Sequence, residues 1–493
     1  MLGKATRAGA VIASIMWLAG TASAQTAPPA GKIPVTTSSE AARKLYLEGR
    51  DLLEKLRATD ARRLFERAVG ADPDFALGYV GLANTSGTTK EFIDATTRAV
   101  ALAGKVSEGE QHLIMALDAG LKGDPKANLA HATELVRLFP NDERAHTLLG
   151  NLYFGRQEYD KAITHYVKAT ALNPGFSTPN NQMGYAYRFL ERFPDAEAAF
   201  KKYTQMIPDD PNPYDSYAEL LMKMGRFDES IKAYEKALSI DRNFVNSYVG
   251  IGSNELAMGK PAAARATFGK LATLARNTGE RRLARFWTAA AYVHEGATDK
   301  ALGELTAGYA LAEAEHDAAT MSGDLVQMGD VLREAGRFDD AHAKYVKSVA
   351  VIDGAQVPEE VKAATRRNHA FEEARLAAVR DDLATAKARL MDYQKLVAVR
   401  NAPFEVRQQH ELTGLIALGE KQYATALKEF ELANQRDPRI VYFAALAAKG
   451  AGDATRAAAL AAKAAHFNEI SFNFAYVKGK AASVSGTAPA SRP

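Results

Sequence analysis

The chain has no cysteine. Disulfides, thiolate metal sites and a lipid-modified cysteine behind a signal sequence are excluded with it. Proline is scarce, with 18 in 493 residues. Alanine-rich runs such as RAAALAAKAAHF are present instead, and this balance favours helix. Charge of one sign is also missing: 62 Lys and Arg stand against 59 Asp and Glu, a net +3. That leaves no electrostatic footprint for nucleic acid or an anionic membrane. No period-two alternation lasts long enough to build a sheet.

Signatures of catalysis are equally thin. There is no H-E-x-x-H, and His294-Glu295 and His410-Glu411 lack the second histidine a zinc helix needs. Gly259-Lys260 places Pro261 where a phosphate loop requires a hydroxyl, so it reads as a turn between helices. KGAGDA (449–454) has two glycines without a third, and no G-x-S-x-G elbow exists. His131, His146 and His165 fall on different helices at unlike positions, and read as satisfied or solvent-facing side chains. Arg281, Arg282 and Arg285 read as a solvated helix start. The expectation is no catalytic residue, no cofactor and no metal.

What is present begins at the N-terminus. MLGKATRAGAVIASIMWLAGTASAQ carries Lys4 and Arg7, an apolar run from Ala8 to Ala19, and the triplet Ala22-Ser23-Ala24. This is the layout of a secretory signal cut after Ala24, with an apolar part too short to span a bilayer. The mature protein is expected in the periplasm or secreted, without an integral membrane segment. Residues 25–39, rich in Pro and Thr/Ser, read as a flexible linker, and 477–493 as a disordered tail.

Between them short amphipathic segments recur at a fixed step. Pro140, Pro174 and Pro208 are 34 residues apart, as are Gly150, Gly184, Ala218 and Gly252. Ala162, Ala196, Ser230 and Ala264 keep the same step, and so do Tyr166, Phe200, Tyr234 and Phe268. Small residues let paired helices approach, aromatics fill the space between pairs, and proline stops the second helix. Gly225 and Gly336 mark turns inside pairs. NPYDSYAELL (212–221), rich in residues that could move a proton, falls in this frame as one first helix. It reads as scaffold, with Tyr214 and Tyr217 in the packing and Ser216 incidental.

A 34-residue period with these residue types resembles the tetratricopeptide repeat, a helix–turn–helix unit. Its match is densest over 145–174; Ala218, Ser230 and Arg242 depart from it. The resemblance implies an all-α, right-handed superhelical solenoid of about twelve antiparallel helix pairs. An N-terminal array would cover 40–278 and a C-terminal, less regular array 279–476. It also implies a concave groove, lined by first helices, that binds a protein or peptide, here in the cell envelope. Arg144, Asn151, Asn181, Tyr185, Arg188, Asp215 and Glu219 share the face the resemblance assigns to that groove, together with Thr147, Thr178 and Phe189. Neither Asn151 nor Arg188 is expected to serve helix packing. The alternative is a helical-solenoid enzyme or glycan-binding protein whose site assembles only in three dimensions.

Overall fold

The computed structural model describes residues 31–398, 400 and 402–485. The expected signal segment, 1–24, lies outside the described residues. Twelve helix pairs follow one another along the chain. The first four are α1 (Glu40–Glu54) with α2 (Ala58–Ala71), α3 (Ala76–Asn84) with α4 (Thr89–Leu102), α5 (Glu108–Leu121) with α6 (Pro125–Leu138), and α7 (Glu143–Gly155) with α8 (Tyr159–Leu172). Next come α9 (Thr178–Phe189) with α10 (Phe193–Met206), α11 (Asn212–Lys223) with α12 (Phe227–Ile240), α13 (Val245–Ala257) with α14 (Pro261–Leu274), and α15 (Thr278–His294) with α16 (Thr298–Ala314). The last four are α17 (Ala318–Glu334) with α18 (Phe338–Asp353), α19 (Glu359–Val379) with α20 (Leu383–Val397), α21 (Pro403–Gly419) with α22 (Tyr423–Leu432), and α23 (Pro438–Gly450) with α24 (Ala454–Ala465). A single helix, α25 (Phe472–Ser485), ends the described chain. There is no strand among the described residues.

The repeat positions explain why the pairs form. A Cβ built on Gly150 would lie 2.6 Å from the ring of Tyr166, sixteen residues on. The same relation joins Gly49 to Phe65, Gly184 to Phe200, Gly252 to Phe268, Gly329 to Tyr345 and Gly414 to Phe430. The first helix therefore gives up its side chain so that the partner's aromatic can press onto its backbone. Gly184 thus meets the ring of Phe200, and Ala196, one turn earlier on the same helix, is fully buried. Ser230 departs from alanine without cost, because its hydroxyl donates to the Ala218 carbonyl at 2.7 Å. Arg242 replaces proline without changing the path: Asp241 before it has φ −139° and ψ 103°, close to Asn173 before Pro174 at −144° and 91°. Gly225, Gly259 and Gly336 hold the turns inside their pairs at φ +75°, a conformation open to glycine. Ser107 and Glu110 close a reciprocal capping box at the start of α5, as their spacing predicts.

Each pair packs on the next, and first helices of neighbouring pairs also touch, as α7, α9, α11 and α13 do in succession. First helices thus line the inside of the curve. This is the superhelical solenoid of antiparallel pairs expected, wound tightly enough for distant turns to meet. The Thr89 N–H donates to Asp317 at 3.0 Å, and Thr59 donates to Glu280 at 3.1 Å. Gln157 bonds Asn434, and the Lys223 ammonium donates to the Phe467 carbonyl.

Two terminal expectations change. Residues 477–485 are the second half of α25, with Ala481 and Ala482 buried against α24 and α23 and Val477 buried in the cluster around Trp287, and not a disordered tail. Residues 31–39, expected as linker, form an arm pinned to three repeats. The N–H of Ile33 donates to Asp142 (2.9 Å), that of Thr36 to Glu110 (2.6 Å) and that of Ser38 to Asp72 (3.3 Å). The Lys32 ammonium pairs with Glu143.

Candidate functional site

The inner face holds a groove of about 690 Å³ between the arm and helices α1, α3, α7 and α9. Tyr46, Val80, Leu113, Leu148 and Phe176 supply apolar wall, and Arg50, Arg144 and Asn151 supply donors. First helices place these residues here because their packing stripe is met by glycine and alanine, which leaves the larger side chains for the opposite edge. Arg144 grips Glu54 in a two-point ion pair (2.8 and 3.2 Å), bonds Glu143 at 2.8 Å and lies over the Phe176 ring. It ties the end of α1 to α7. Asn151 is exposed and accepts the Tyr166 hydroxyl at 2.8 Å. Thr147 and Thr178 line the same groove.

The rest of the sequence-defined face is occupied by the chain itself. Asn181 is buried. Tyr185 donates its hydroxyl to Glu219 at 2.9 Å, and the Arg188 guanidinium reaches Glu219 at 2.9 Å and Glu469 at 3.7 Å. Arg188 is 3% exposed, so the expectation that it stands clear of packing fails. Lys223 pairs with Glu469 at 2.8 Å while covering the ring of Phe467. Residues 467–469, after α24, seal this part of the curve, and no partner reaches it while they stay in place. Asp215 is buried and accepts the Ser247 hydroxyl at 2.6 Å. Burial, with Glu219 nearby, pushes its carboxyl up to about 8, so it keeps its proton at neutral pH. Ser216, expected as incidental, is fully buried on Asn212, whereas Tyr214 and Tyr217 stay half-exposed.

Two histidine pairs were hidden from sequence reasoning. His146 and His165 meet at 3.1 Å between their Nδ1 atoms, and His112 and His131 at 3.0 Å. The two pairs are one repeat apart, so His131 and His165 occupy like positions, contrary to the reading above. His146 Nε2 faces the Pro140 carbonyl at 3.1 Å; a carbonyl only accepts, so His146 Nδ1 accepts from His165. Burial lowers the pKa of both rings, which keeps the pair neutral. The 34-residue spacing of 112 with 146 and 131 with 165 was the available signal. Among the described residues no group of three or more His, Asp or Glu could hold a metal ion. The three arginines 281, 282 and 285 are partnered, by Thr278, Asp324 and Glu304.

Family models described as tetratricopeptide repeat match residues 46–105, 143–176 and 212–244. The chain carries tetratricopeptide repeats. Curated proteins similar to it include protein O-mannosyl-transferase TMTC3 of Mus musculus, 26% identical over 160 residues. That match covers 29% of this chain and 17% of the relative. Mitochondrial import receptor subunit TOM70 of Saccharomyces cerevisiae is 27% identical over 141 residues, covering 28% of this chain and 23% of the relative. The chain thus spans less than a quarter of these relatives. Among solved structures, a tetratricopeptide repeat protein from Parabacteroides merdae is 18% identical with a TM-score of 0.35, covering 55% of this chain and 94% of that one. MamA protein is 21% identical with a TM-score of 0.28, covering 34% and 91%. The matched stretches 46–105 and 143–176 contain α3, α7 and most of α1, which line the groove.

Proposed function

We propose that this protein is an exported scaffold that holds an extended segment of a protein partner in the groove of its first helices. The observation that carries this reading is the arm. Backbone N–H groups of Ile33, Thr36 and Ser38 are received by carboxylates from three different repeats, along the rim of the open groove. The repeats thus already grip one non-helical segment by its main chain, a mode that leaves side chains free to fill apolar pockets. Beside the arm, Leu113, Leu148 and Phe176 offer such pockets, and Arg50 and Asn151 offer further donors. The paired charges of the groove, Arg144 with Glu54 and Lys32 with Glu143, favour a ligand of mixed composition over a highly charged one.

Leu148→Glu places a charge on the groove wall without touching the glycine–aromatic contacts between helices. Affinity capture with wild type and variant is expected to show at least a tenfold loss for the groove ligand, about 1.4 kcal/mol, with an unchanged melting temperature. Capture of every partner with undiminished affinity would reject the groove. Arg188 is unsuited to this test, since it is part of the sealed interior.

Export belongs to the same reading and rests on the basic start, short apolar run and Ala22-Ser23-Ala24. Intact-mass measurement of the protein from its cell envelope is expected to give a chain starting at Gln25. A species retaining Met1 to Ala24 would refute cleavage. No helix among the described residues is long and apolar enough to cross a membrane.

A further inference from the structure

A second cavity, of about 340 Å³, lies where α5 to α7 meet the start of α21. Its size is that of a small-molecule site. Its apolar wall includes Leu129, Leu152 and the half-exposed Phe404, and its cations are Arg156, Arg400 and Arg407. The carboxylates nearby are largely committed, although the buried Oε2 of Glu405 has no hydrogen-bond partner among the described residues. Asp124 caps α6 by accepting the N–H groups of Lys126 and Ala127. Glu405 is shared between Arg367 at 3.1 Å and Arg400 at 3.4 Å, and Arg156 is held by Glu158 at 2.5 Å.

Arg407 is left short of negative charge. Its one hydrogen bond runs from Nη1 to the Arg156 carbonyl at 3.4 Å, and its buried Nε has no partner among the described residues. Burial first, then the neighbouring Arg156 and Arg436, pull this guanidinium below its usual range. Arg367 is pulled down in the same way, by burial and by Arg400. A guanidinium with its planar fork unfilled beside an apolar wall matches a carboxylate attached to hydrocarbon. We propose that this cavity binds a small organic carboxylate. Its oxygens are held by Arg407 and Arg400, and its hydrocarbon part lies against Leu129, Leu152 and Phe404. The site shares only Asn151 with the lining of the groove and does not depend on the scaffold reading.

The test is calorimetric titration of the full chain with octanoate, using octanol and inorganic phosphate as the uncharged and non-hydrocarbon comparisons. Saturable 1:1 binding of octanoate is expected, with both comparisons at least tenfold weaker. Arg407→Gln should weaken octanoate by at least tenfold. Leu129→Trp fills the apolar end while leaving every guanidinium in place, and should weaken it similarly. If Arg407→Gln fails to fold, Leu129→Trp decides alone. Absence of saturable octanoate binding, equal binding of octanol, or undiminished affinity in Leu129→Trp overturns the proposal.

Discussion

Arg333→Ala is expected to destabilise the protein by about 3–5 kcal/mol, the usual cost of removing one partner from a buried ionic network. Arg333 is fully buried on α17, where its Nη1 donates to Asp330 (2.7 Å) and Glu372 (2.7 Å) and reaches the Tyr345 hydroxyl (2.8 Å). Tyr345 in turn donates to Asp330 at 2.9 Å. Arg375 with Glu411 and Arg439 with Asp437 extend the network over the inner face of the last pairs. Without Arg333, Asp330 and Glu372 are left as buried like charges with a cavity between them. Arg333→Met fills that volume but still leaves both carboxylates, so it should recover only part of the loss. Thermal unfolding of the two variants checks this. A melting temperature unchanged in Arg333→Ala would show that the network carries no stability.

Removal of α25, by ending the chain after Ser471, has the second large expected effect. Phe472, Phe474, Tyr476, Val477, Ala481 and Ala482 are buried. At roughly 1.5–3 kcal/mol for each large apolar side chain, the gross loss is on the order of 10 kcal/mol. Ordering the helix costs entropy that offsets much of this. The helix also covers the ionic network: Lys480 pairs with Glu334 at 3.0 Å, Asn473 donates to Asp437 at 3.1 Å, and Gln327 donates to the Tyr476 hydroxyl at 2.9 Å. The truncated protein is expected to melt many degrees lower and to be cut by protease within α15 to α23, while the first pairs stay resistant. Equal melting and equal protease resistance would show α25 to be dispensable.

Why α25 escaped sequence reasoning is a physical matter. KGKAASVS (478–485) has few large apolar residues; this half of α25 continues a helix anchored by Phe472, Phe474 and Tyr476, and adds only the small Ala481 and Ala482, packed on Ala464 and Ala465 of α24. The arm escaped for a related reason. A Pro- and Thr-rich segment lacks periodicity, and the carboxylates that pin it lie 34 to 111 residues away along the chain. The helix pairs were legible because glycine and aromatic sixteen residues apart report a contact inside a single repeat. The face carrying Arg144, Asn151, Tyr185 and Arg188 was legible too, as one stripe of first helices. What covers the stripe was not. That depends on how tightly the solenoid winds, which brings Phe467 to Glu469 onto Arg188 and leaves Asn151 open.

The groove is tested most directly by placing a photo-crosslinking amino acid at single positions and irradiating the protein in the cells that make it. Positions Leu148 and Asn151 look into the groove, and Val167, half-exposed on a second helix, looks outward. Adducts with a common partner are expected from Leu148 and Asn151 and not from Val167. The same adducts from Val167, with none from the two groove positions, would contradict the groove as the binding site.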